Sequence, residues 1–161
     1  LNYLIRRKPE LTGAIVTSPW VILTETPPKA KVILAKVAGK IMPGLVQPSG
    51  LKTESLSHDP EVVSLYRSDP LVHGMISAGL YNAMTVAAGE TLARASEITM
   101  PLLLAHGRDD MICSPAGSLQ VAEAAPKSTL KLWEGGYHEL HNDITSDEHF
   151  NFIIAWIDTL L

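Results

Sequence analysis

Residues 100–110 read MPLLLAHGRDD, an apolar run that ends at a glycine and is followed directly by charged side chains. A short apolar run between Pro and Gly is typical of a strand that is buried on both faces of a sheet. Leu11–Ser18 is a similar run and Ser128–Trp133 alternates polar with apolar residues, so both predict further strands. Helices are predicted around them at Leu1–Lys8, 115–125 and Asp147–Leu161. Strands that alternate with helices predict an α/β fold with a parallel sheet.

The segment between the predicted strand at Leu11–Ser18 and the apolar run that begins at Met100 has a different, mostly helical character. Helices are expected from Pro28 to about Met42, over Pro60–Tyr66 and over about 73–95, with a loop over 43–59. We therefore predict that residues 1–19 and 98–161 form the α/β core and that residues 20–97 form a helical insertion on it.

The composition indicates one folded domain and excludes several classes of partner. The 161 residues are 46% hydrophobic and 19% charged, which is too apolar for a disordered chain. The net charge is −4 and no basic block occurs, so no nucleic-acid partner is expected. One cysteine excludes disulfides within the chain and CxxC metal sites. The charge-free run Pro70–Gly89 contains polar residues and three glycines, so we predict a buried helix there rather than a membrane span.

Titratable side chains follow two of the predicted strands, where the sites of open α/β sheets form. Asp110 comes three residues after Gly107, which ends the apolar run that begins at Met100, and His138 lies in the loop after Ser128–Trp133. A carboxylate that hydrogen-bonds an imidazole fixes its tautomer and stabilises its cation, as in a nucleophilic triad. Asp109 is the alternative acid, and His141 is the weaker alternative base.

Three motifs resemble those of monoacylglycerol lipase-like α/β-hydrolases, a family of serine hydrolases. They are Ser68-Asp69-Pro70-Leu71, the strand and loop at 101–110 and the segment at 133–141. The resemblance covers nearly the whole chain, as the C-terminal portion of such a protein. It implies that Asp110 is the triad acid and His138 the base, in the chain order of this fold. It also implies substrate contacts at Ile112, Cys113, Tyr66, Leu71 and Leu140.

The activity that this resemblance implies is hydrolysis of a monoacylglycerol to a fatty acid and glycerol through an acyl-serine intermediate, without a cofactor. The family's nucleophile motif Gly-x-Ser-x-Gly does not occur, since none of the eleven glycines is followed two positions later by serine. Leu1–Lys8 resembles the end of the helix that follows the nucleophile. The serine is therefore expected fewer than about ten residues before Leu1, with both oxyanion donors further upstream or beside it.

The chain by itself is consequently expected to be inactive and to require the N-terminal half of the fold. Without that half, the strand at Leu11–Ser18 would expose an unpaired apolar edge, which is a hazard for aggregation. A non-catalytic interaction module of the same fold is one alternative, and a lysophospholipase or another carboxylesterase is a second. A Cys–His hydrolase is a third, but a nucleophile in this fold belongs on the strand–helix turn, so Cys113 is interpreted as a half-buried thiol. His106 and His58 are interpreted as a strand-end and a surface histidine.

The expected substrate is a lipid ester, and the insertion is the expected contact with a membrane or lipid droplet. Its first predicted helix carries four lysines among apolar residues, at Lys29, Lys31, Lys36 and Lys40. Such a pattern suits an anionic lipid surface. No signal peptide is recognisable in these residues, so the cytoplasm or the periphery of a membrane is the expected location.

Overall fold

A computed structural model describes the backbone of residues 1–161 and every side chain except that of Lys31. The elements, in chain order, are α1 (Asn2–Arg7), β1 (Ala14–Thr17), α2 (Lys29–Ile41), β2 (Val46–Pro48), α3 (Pro60–Ser68), β3 (Met75–Ser77), α4 (Ala78–Arg94), β4 (Leu102–Gly107), α5 (Pro115–Ala124), β5 (Ser128–Trp133) and α6 (Ser146–Asp158). Short 3-10 turns occupy Thr53–Ser55, Ala95–Glu97 and Leu140–Asn142.

The central sheet has three parallel strands in the order β1-β4-β5. Ala14 of β1 is in register with Leu102 of β4, and Leu102 is in register with Ser128 of β5. Because β4 lies between the other two strands, all six of its residues are buried. The predicted α/β class and the parallel sheet are therefore confirmed.

Successive residues of β4 point to opposite faces of the sheet, and helices cover both faces. On one face, Leu102 and Leu104 pack with residues of α1, α5 and the turn after α4: Leu4, Ile5, Ala95, Ile98, Val121 and Ala125. On the other face, Ala105 packs with Trp133, Leu140 and the half-buried Phe152 of α6. Burial on both faces is what a parallel sheet requires, and it explains the unbroken apolar run of β4.

The helix boundaries follow from residues that cap or interrupt the chain. The side chain of Ser114 accepts a hydrogen bond from the backbone N–H of Ala116, and Pro115 occupies the first position of α5. Asp59 caps α3 in the same way, by accepting from the N–H of Glu61 at 2.8 Å. The first helix ends where Lys8 adopts a left-handed conformation with φ of 46°, one residue before Pro9.

Two sequence predictions inside the insertion are wrong in part. Residues 43–59 are not all loop, because β2 pairs there with β3 as an antiparallel ribbon, with Val46 opposite Ser77. The helix predicted over 73–95 consequently begins only at Ala78, where Ser77 accepts from the N–H of Leu80 at 3.2 Å. Strands of three residues are too short to show an alternating pattern, which is why the sequence did not reveal them.

The division into a core at 1–19 and 98–161 and an insertion at 20–97 stays a prediction. Between β1 and β4 the structure has the β2–β3 ribbon and three helices, of which α2 packs against α4. The 3-10 turn after α4 contributes Ala95 to the core cluster. None of the helices in the described part of the chain combines the length and hydropathy that a membrane span needs.

The outer edge of β1 is one of the two free edges of the described sheet, and β5 forms the other. Within residues 1–161, β1 pairs with β4 on one side and has no strand on the other, and Ile15 is 37% exposed. That free edge agrees with the expectation that further chain completes the sheet, which remains a prediction.

Gly107 ends β4 at a point where no side chain fits, and this gives a test of the fold. A Cβ at Gly107 would overlap the backbone carbonyl oxygens of Gly136 and Tyr137. We expect Gly107→Ala to lower the free energy of unfolding by about 2 kcal/mol or more, because the overlapping atoms are backbone and cannot rotate away. Urea unfolding followed by circular dichroism measures the change.

Gly89, in α4, is the matched control. Apart from its chain neighbours and the backbone of its own helix, no atom of the described residues lies within 4 Å of a Cβ built there, so Gly89→Ala is expected to stabilise the helix by about 0.5–1 kcal/mol. Equal effects of the two substitutions would contradict the close approach of the two loops.

Candidate active site

The loops that follow β4 and β5 lie against each other and are joined by backbone hydrogen bonds. The N–H of Arg108 donates to the carbonyl of Trp133 at 2.9 Å, and that of Asp109 donates to the carbonyl of Gly136 at 3.1 Å. Gly107 permits this approach because it has no side chain. As a result, the acid loop and the histidine loop form one rigid edge at the carboxyl ends of neighbouring strands.

Asp110 and His138 meet at this edge. Nδ1 of His138 lies 2.8 Å from Oδ2 of Asp110, although the two residues are 28 positions apart. The Asp110 side chain is fully buried, and 24% of the His138 side chain is exposed. Because an ionised carboxylate only accepts hydrogen bonds, Nδ1 carries the proton in the neutral imidazole. Nε2 of His138 forms no hydrogen bond with any side chain that the structure describes, so its lone pair is free to accept a proton.

The carboxylate of Asp110 accepts four hydrogen bonds. Oδ1 accepts from the backbone N–H groups of Ile112 at 2.8 Å and Cys113 at 2.9 Å. Oδ2 accepts from His138 and from Nε2 of His106 at 3.0 Å. Burial by itself would raise the pKa of Asp110, but the hydrogen bonds from His106, His138 and the N–H of Cys113 outweigh it and hold the pKa well below its usual range.

The alternative acid and base of the sequence analysis are not brought together. Asp109 is exposed and makes no side-chain contact with His138 in the described residues, and His141 is exposed on the turn after it. Arg108, the chain neighbour of Asp109, forms an ion pair with Glu134. Asp110 and His138 are thus the acid and base that the structure places in contact.

The five predicted substrate contacts occupy three different environments. Ile112 and Cys113 follow Asp110 in the same loop, and Leu140 is fully buried in the cluster around Trp133. Tyr66 is half-buried in α3, and Leu71, just beyond α3, is 89% exposed. The roles of these residues in substrate binding stay predictions.

Cys113 is buried rather than half-buried, with 2% of its surface exposed. Burial, together with the negative charge of Asp110, raises the pKa of its thiol to about 12. A thiol with such a pKa is almost entirely protonated at neutral pH, whereas the thiolate is the nucleophile. The environment of Cys113 therefore argues against the Cys–His alternative. Within the described residues, no group of three or more His, Cys, Asp or Glu side chains is arranged to hold a metal ion.

A second buried carboxylate, which the sequence analysis missed, holds the histidine loop from its other side. Asp143 accepts from the backbone N–H of Tyr137 at 2.8 Å and from the N–H and Nδ1 of His58 at 2.9 and 3.0 Å. The ring of His58 lies on that of Tyr137 with centroids 3.6 Å apart, so His58 is not a free surface histidine. These contacts join the segment before α3 to the residue adjacent to His138. A sequence separation of 85 residues between His58 and Asp143 leaves no local signal for them.

A groove of about 650 Å³ lies beside this contact. Its lining is mixed in polarity and comes from the turn before α3, from α3 itself and from the histidine loop: Glu54, Ser57, His58, Pro60, Val63, Ser64, Arg67, Ser68 and Tyr137. Neither Tyr66 nor Leu71 lines it.

The depressed pKa of Asp110 predicts how stability depends on pH. A carboxyl whose pKa is lower in the folded than in the unfolded chain stabilises the fold above the unfolded pKa of about 3.9, and this contribution is lost as the pH falls through the folded pKa. We therefore expect the free energy of unfolding to fall below about pH 4. Asp110→Asn should remove part of this pH dependence and cost about 1–3 kcal/mol at pH 7, because a carboxylate that accepts four donors is lost.

Urea unfolding between pH 2.5 and pH 7 measures this dependence, with Asp109→Asn as the matched control at the exposed neighbour. If the free energy of unfolding depends on pH with the same slope in the Asp110→Asn protein and in the control, the result would contradict a buried, ionised Asp110.

Known proteins show the same fold and similar sequences. The family model described as serine aminopeptidase, S33 (Hydrolase_4) matches residues 1–145. The monoacylglycerol lipase of Mycolicibacterium smegmatis is 33% identical over 159 residues, covering 96% of this chain and 56% of that protein. The crystal structure of the Paleococcus ferrophilus monoacylglycerol lipase matches with a TM-score of 0.93 and 32% identity, over 99% of this chain and 63% of that one. A soluble variant of the Saccharomyces cerevisiae monoglyceride lipase gives a TM-score of 0.84 at 25% identity, over 99% and 57%.

The chain spans about half the length of the monoacylglycerol and monoglyceride lipases of Mycolicibacterium smegmatis, Rattus norvegicus and Homo sapiens, and 17% of an abhydrolase domain-containing protein of Dictyostelium discoideum that is 34% identical to it. The resemblance to monoacylglycerol lipase-like hydrolases is confirmed, both by these sequences and by the solved structures. The sheet described above and the solved structures show that the chain has the fold of α/β hydrolases. Because the family model matches residues 1–145, the chain belongs to the serine aminopeptidase, S33 (Hydrolase_4) family.

Proposed function

We propose that this chain supplies the acid and the base of a serine ester hydrolase, and that a longer protein supplies the serine. The observation that carries the proposal is the hydrogen bond of 2.8 Å between Nδ1 of His138 and the buried carboxylate of Asp110. This bond leaves Nε2, the other ring nitrogen, free to exchange a proton with a reacting group. It is the arrangement that a triad requires of its base and its acid.

In the proposed reaction, Nε2 of His138 takes the proton of the serine hydroxyl as the serine oxygen attacks the ester carbonyl. The imidazolium then gives this proton to the leaving alcohol oxygen as the carbonyl–oxygen bond breaks, and an acyl-serine remains. In the second half, Nε2 takes a proton from water while the water oxygen attacks the acyl carbon. The proton returns to the serine oxygen as the acid is released.

Asp110 contributes orientation and charge to this cycle. Its carboxylate holds the proton on Nδ1 of His138, so that Nε2 and not Nδ1 is the basic nitrogen. It also stabilises the imidazolium that forms after each proton transfer. The four hydrogen bonds on the carboxylate keep it ionised and fixed in one plane.

A monoacylglycerol is the substrate that we propose for the whole protein. The support comes from the similarity to monoacylglycerol lipases of a bacterium and an archaeon. The exposed apolar side chains of α2 also suit a lipid ester, at Ile33, Leu34, Val37 and Ile41. A phospholipase of Bacillus subtilis is 24% identical to this chain, which keeps lysophospholipids as the second candidate class.

Two further proposals concern partners and location. The exposed Lys29, Lys36 and Lys40 of α2 lie near these apolar side chains, which supports peripheral contact with an anionic membrane or a lipid droplet. The free edge of β1 supports pairing with the N-terminal half of the fold.

Labelling with a fluorophosphonate probe, which reacts with activated serines, tests the proposal on the full-length gene product. We expect the wild-type protein to be labelled. Asp110→Asn and His138→Ala should slow labelling by about a hundredfold or more, because the serine is no longer activated. His141→Ala changes an exposed histidine of the next turn and serves as the matched control, with no loss expected.

Circular dichroism establishes that each variant is folded. Labelling that is unaffected by His138→Ala would contradict the proposed base. A folded wild-type protein that neither reacts with the probe nor hydrolyses monoacylglycerols or lysophospholipids would favour the non-catalytic interaction module. The ratio of the rates on the two lipid classes separates the two substrate candidates.

A further inference from the structure

We infer that His106 is a positioning residue for the proposed triad: a second, neutral imidazole that donates a hydrogen bond to the same oxygen of Asp110 that His138 uses. This inference rests on the proposed function, because it assigns a role within that site. The observation behind it is the pair of distances at Oδ2 of Asp110, which are 3.0 Å to Nε2 of His106 and 2.8 Å to Nδ1 of His138.

His106 lies near the end of β4 and is fully buried, and both of its ring nitrogens have partners. Nε2 faces two acceptors, namely Oδ2 of Asp110 at 3.0 Å and the carbonyl oxygen of Cys113 at 2.9 Å. Nδ1 lies 2.7 Å from Oγ of Ser118, which is on α5. The ring thus connects the acid loop to a helix on one side of the sheet.

These partners determine the tautomer of His106. Since both atoms facing Nε2 are acceptors, Nε2 must carry a proton. Within the described residues, the buried hydroxyl of Ser118 hydrogen-bonds to Nδ1 of His106 and to no other side chain. If Nδ1 were also protonated, this hydroxyl would have no acceptor. A buried hydroxyl without an acceptor is costly, so Ser118 donates to Nδ1. His106 is therefore neutral, with its proton on Nε2.

The neutral ring completes the hydrogen bonding of the carboxylate. Oδ1 of Asp110 is held by two backbone N–H groups, and without His106 its Oδ2 would be held by His138 alone. An ionised carboxylate has about four acceptor sites, and the four donors occupy them. His106 consequently fixes the plane of the carboxylate and shares the negative charge that Oδ2 offers to His138.

Two consequences follow for the proposed reaction when the His106 donor is removed. The carboxylate loses one of its fixed positions, so the imidazole of His138 is oriented less well and kcat falls. The charge on Oδ2 is then shared with fewer donors, so the imidazolium of His138 is stabilised more strongly. The acidic limb of the pH profile of kcat/KM therefore moves to higher pH. The buried thiol of Cys113, which the charge of Asp110 also affects, stays protonated across this range.

Two substitutions at this position form a matched pair. In His106→Gln, the side-chain amide reaches the position of Nε2 and can still donate to Asp110. In His106→Asn, the shorter amide reaches only the position of Nδ1, near Ser118, and the donor to Asp110 is lost. Both replacements are neutral and polar, so a difference between them reports the hydrogen bond rather than the loss of the ring.

We expect His106→Gln to retain kcat within about threefold of the wild-type value. His106→Asn should lower kcat about tenfold to a hundredfold with little change in KM, the loss expected for a hydrogen bond to a charged group. It should also move the acidic limb of the kcat/KM profile upward by about one pH unit. A folded His106→Asn protein with the wild-type kcat and pH profile would overturn the inference.

A measurement that needs no catalysis keeps this inference separate from the proposed function. Nuclear magnetic resonance of 15N-histidine-labelled full-length protein is expected to show His106 as the Nε2–H tautomer. The Nδ1–H proton of His138 should shift in His106→Asn and not in His106→Gln. If the protein hydrolyses no ester, the proposed function fails, but these resonances still decide the role of His106. A His138 Nδ1–H resonance that is unchanged in His106→Asn overturns the inference.

Ser118→Ala provides a second variant should His106→Asn not fold. It leaves the ring in place, with Nε2 still facing two acceptors, and removes the hydroxyl whose hydrogen bond to Nδ1 makes the Nε2–H a stronger donor. A smaller shift of the His138 Nδ1–H proton than in His106→Asn, in the same direction, is expected, and the absence of any such shift would contradict the network.

Discussion

The buried carboxylate of Asp110 is the constraint on which the candidate site depends. It has no contact with solvent, and each of its oxygens accepts two hydrogen bonds. Through these bonds it joins the loop after β4, the loop after β5 and, by way of His106 and Ser118, helix α5. A buried charge is tolerated only where such donors surround it, so the position of His138 and the packing of the sheet are parts of one arrangement.

Two features of the backbone make this arrangement possible. Gly107 lets the end of β4 approach the loop that carries His138, where a Cβ would overlap backbone atoms. On the opposite side, Asp143 holds the N–H of Tyr137 and the backbone N–H and Nδ1 of His58. The proposed base His138 is thus held from two sides. The carboxylate of Asp110 contacts its ring, and the carboxylate of Asp143 contacts the residue before it and the segment before α3.

The sequence predicted the sheet and the Asp110–His138 pair for physical reasons that are specific to them. A strand buried on both faces must be continuously apolar, and side chains at the carboxyl ends of neighbouring parallel strands must lie close together. It did not predict the β2–β3 ribbon, because three-residue strands carry no periodicity, nor the contacts of His106 and Asp143. These contacts join Ser118 to β4 and His58 to the histidine loop, and they depend on how finished elements pack.

Asp110 and His138 are proposed to serve a serine in a Gly-x-Ser-x-Gly motif, and the 161 residues contain no such motif. The decisive measurement is to sequence about ten codons upstream of Leu1 in the source transcript, because the proposed strand–serine–helix turn has its serine within that distance of Leu1. A Gly-x-Ser-x-Gly motif in those codons is the predicted result. A start codon or an unrelated segment directly before Leu1 would contradict the claim and leave Asp110 and His138 as parts of a binding module.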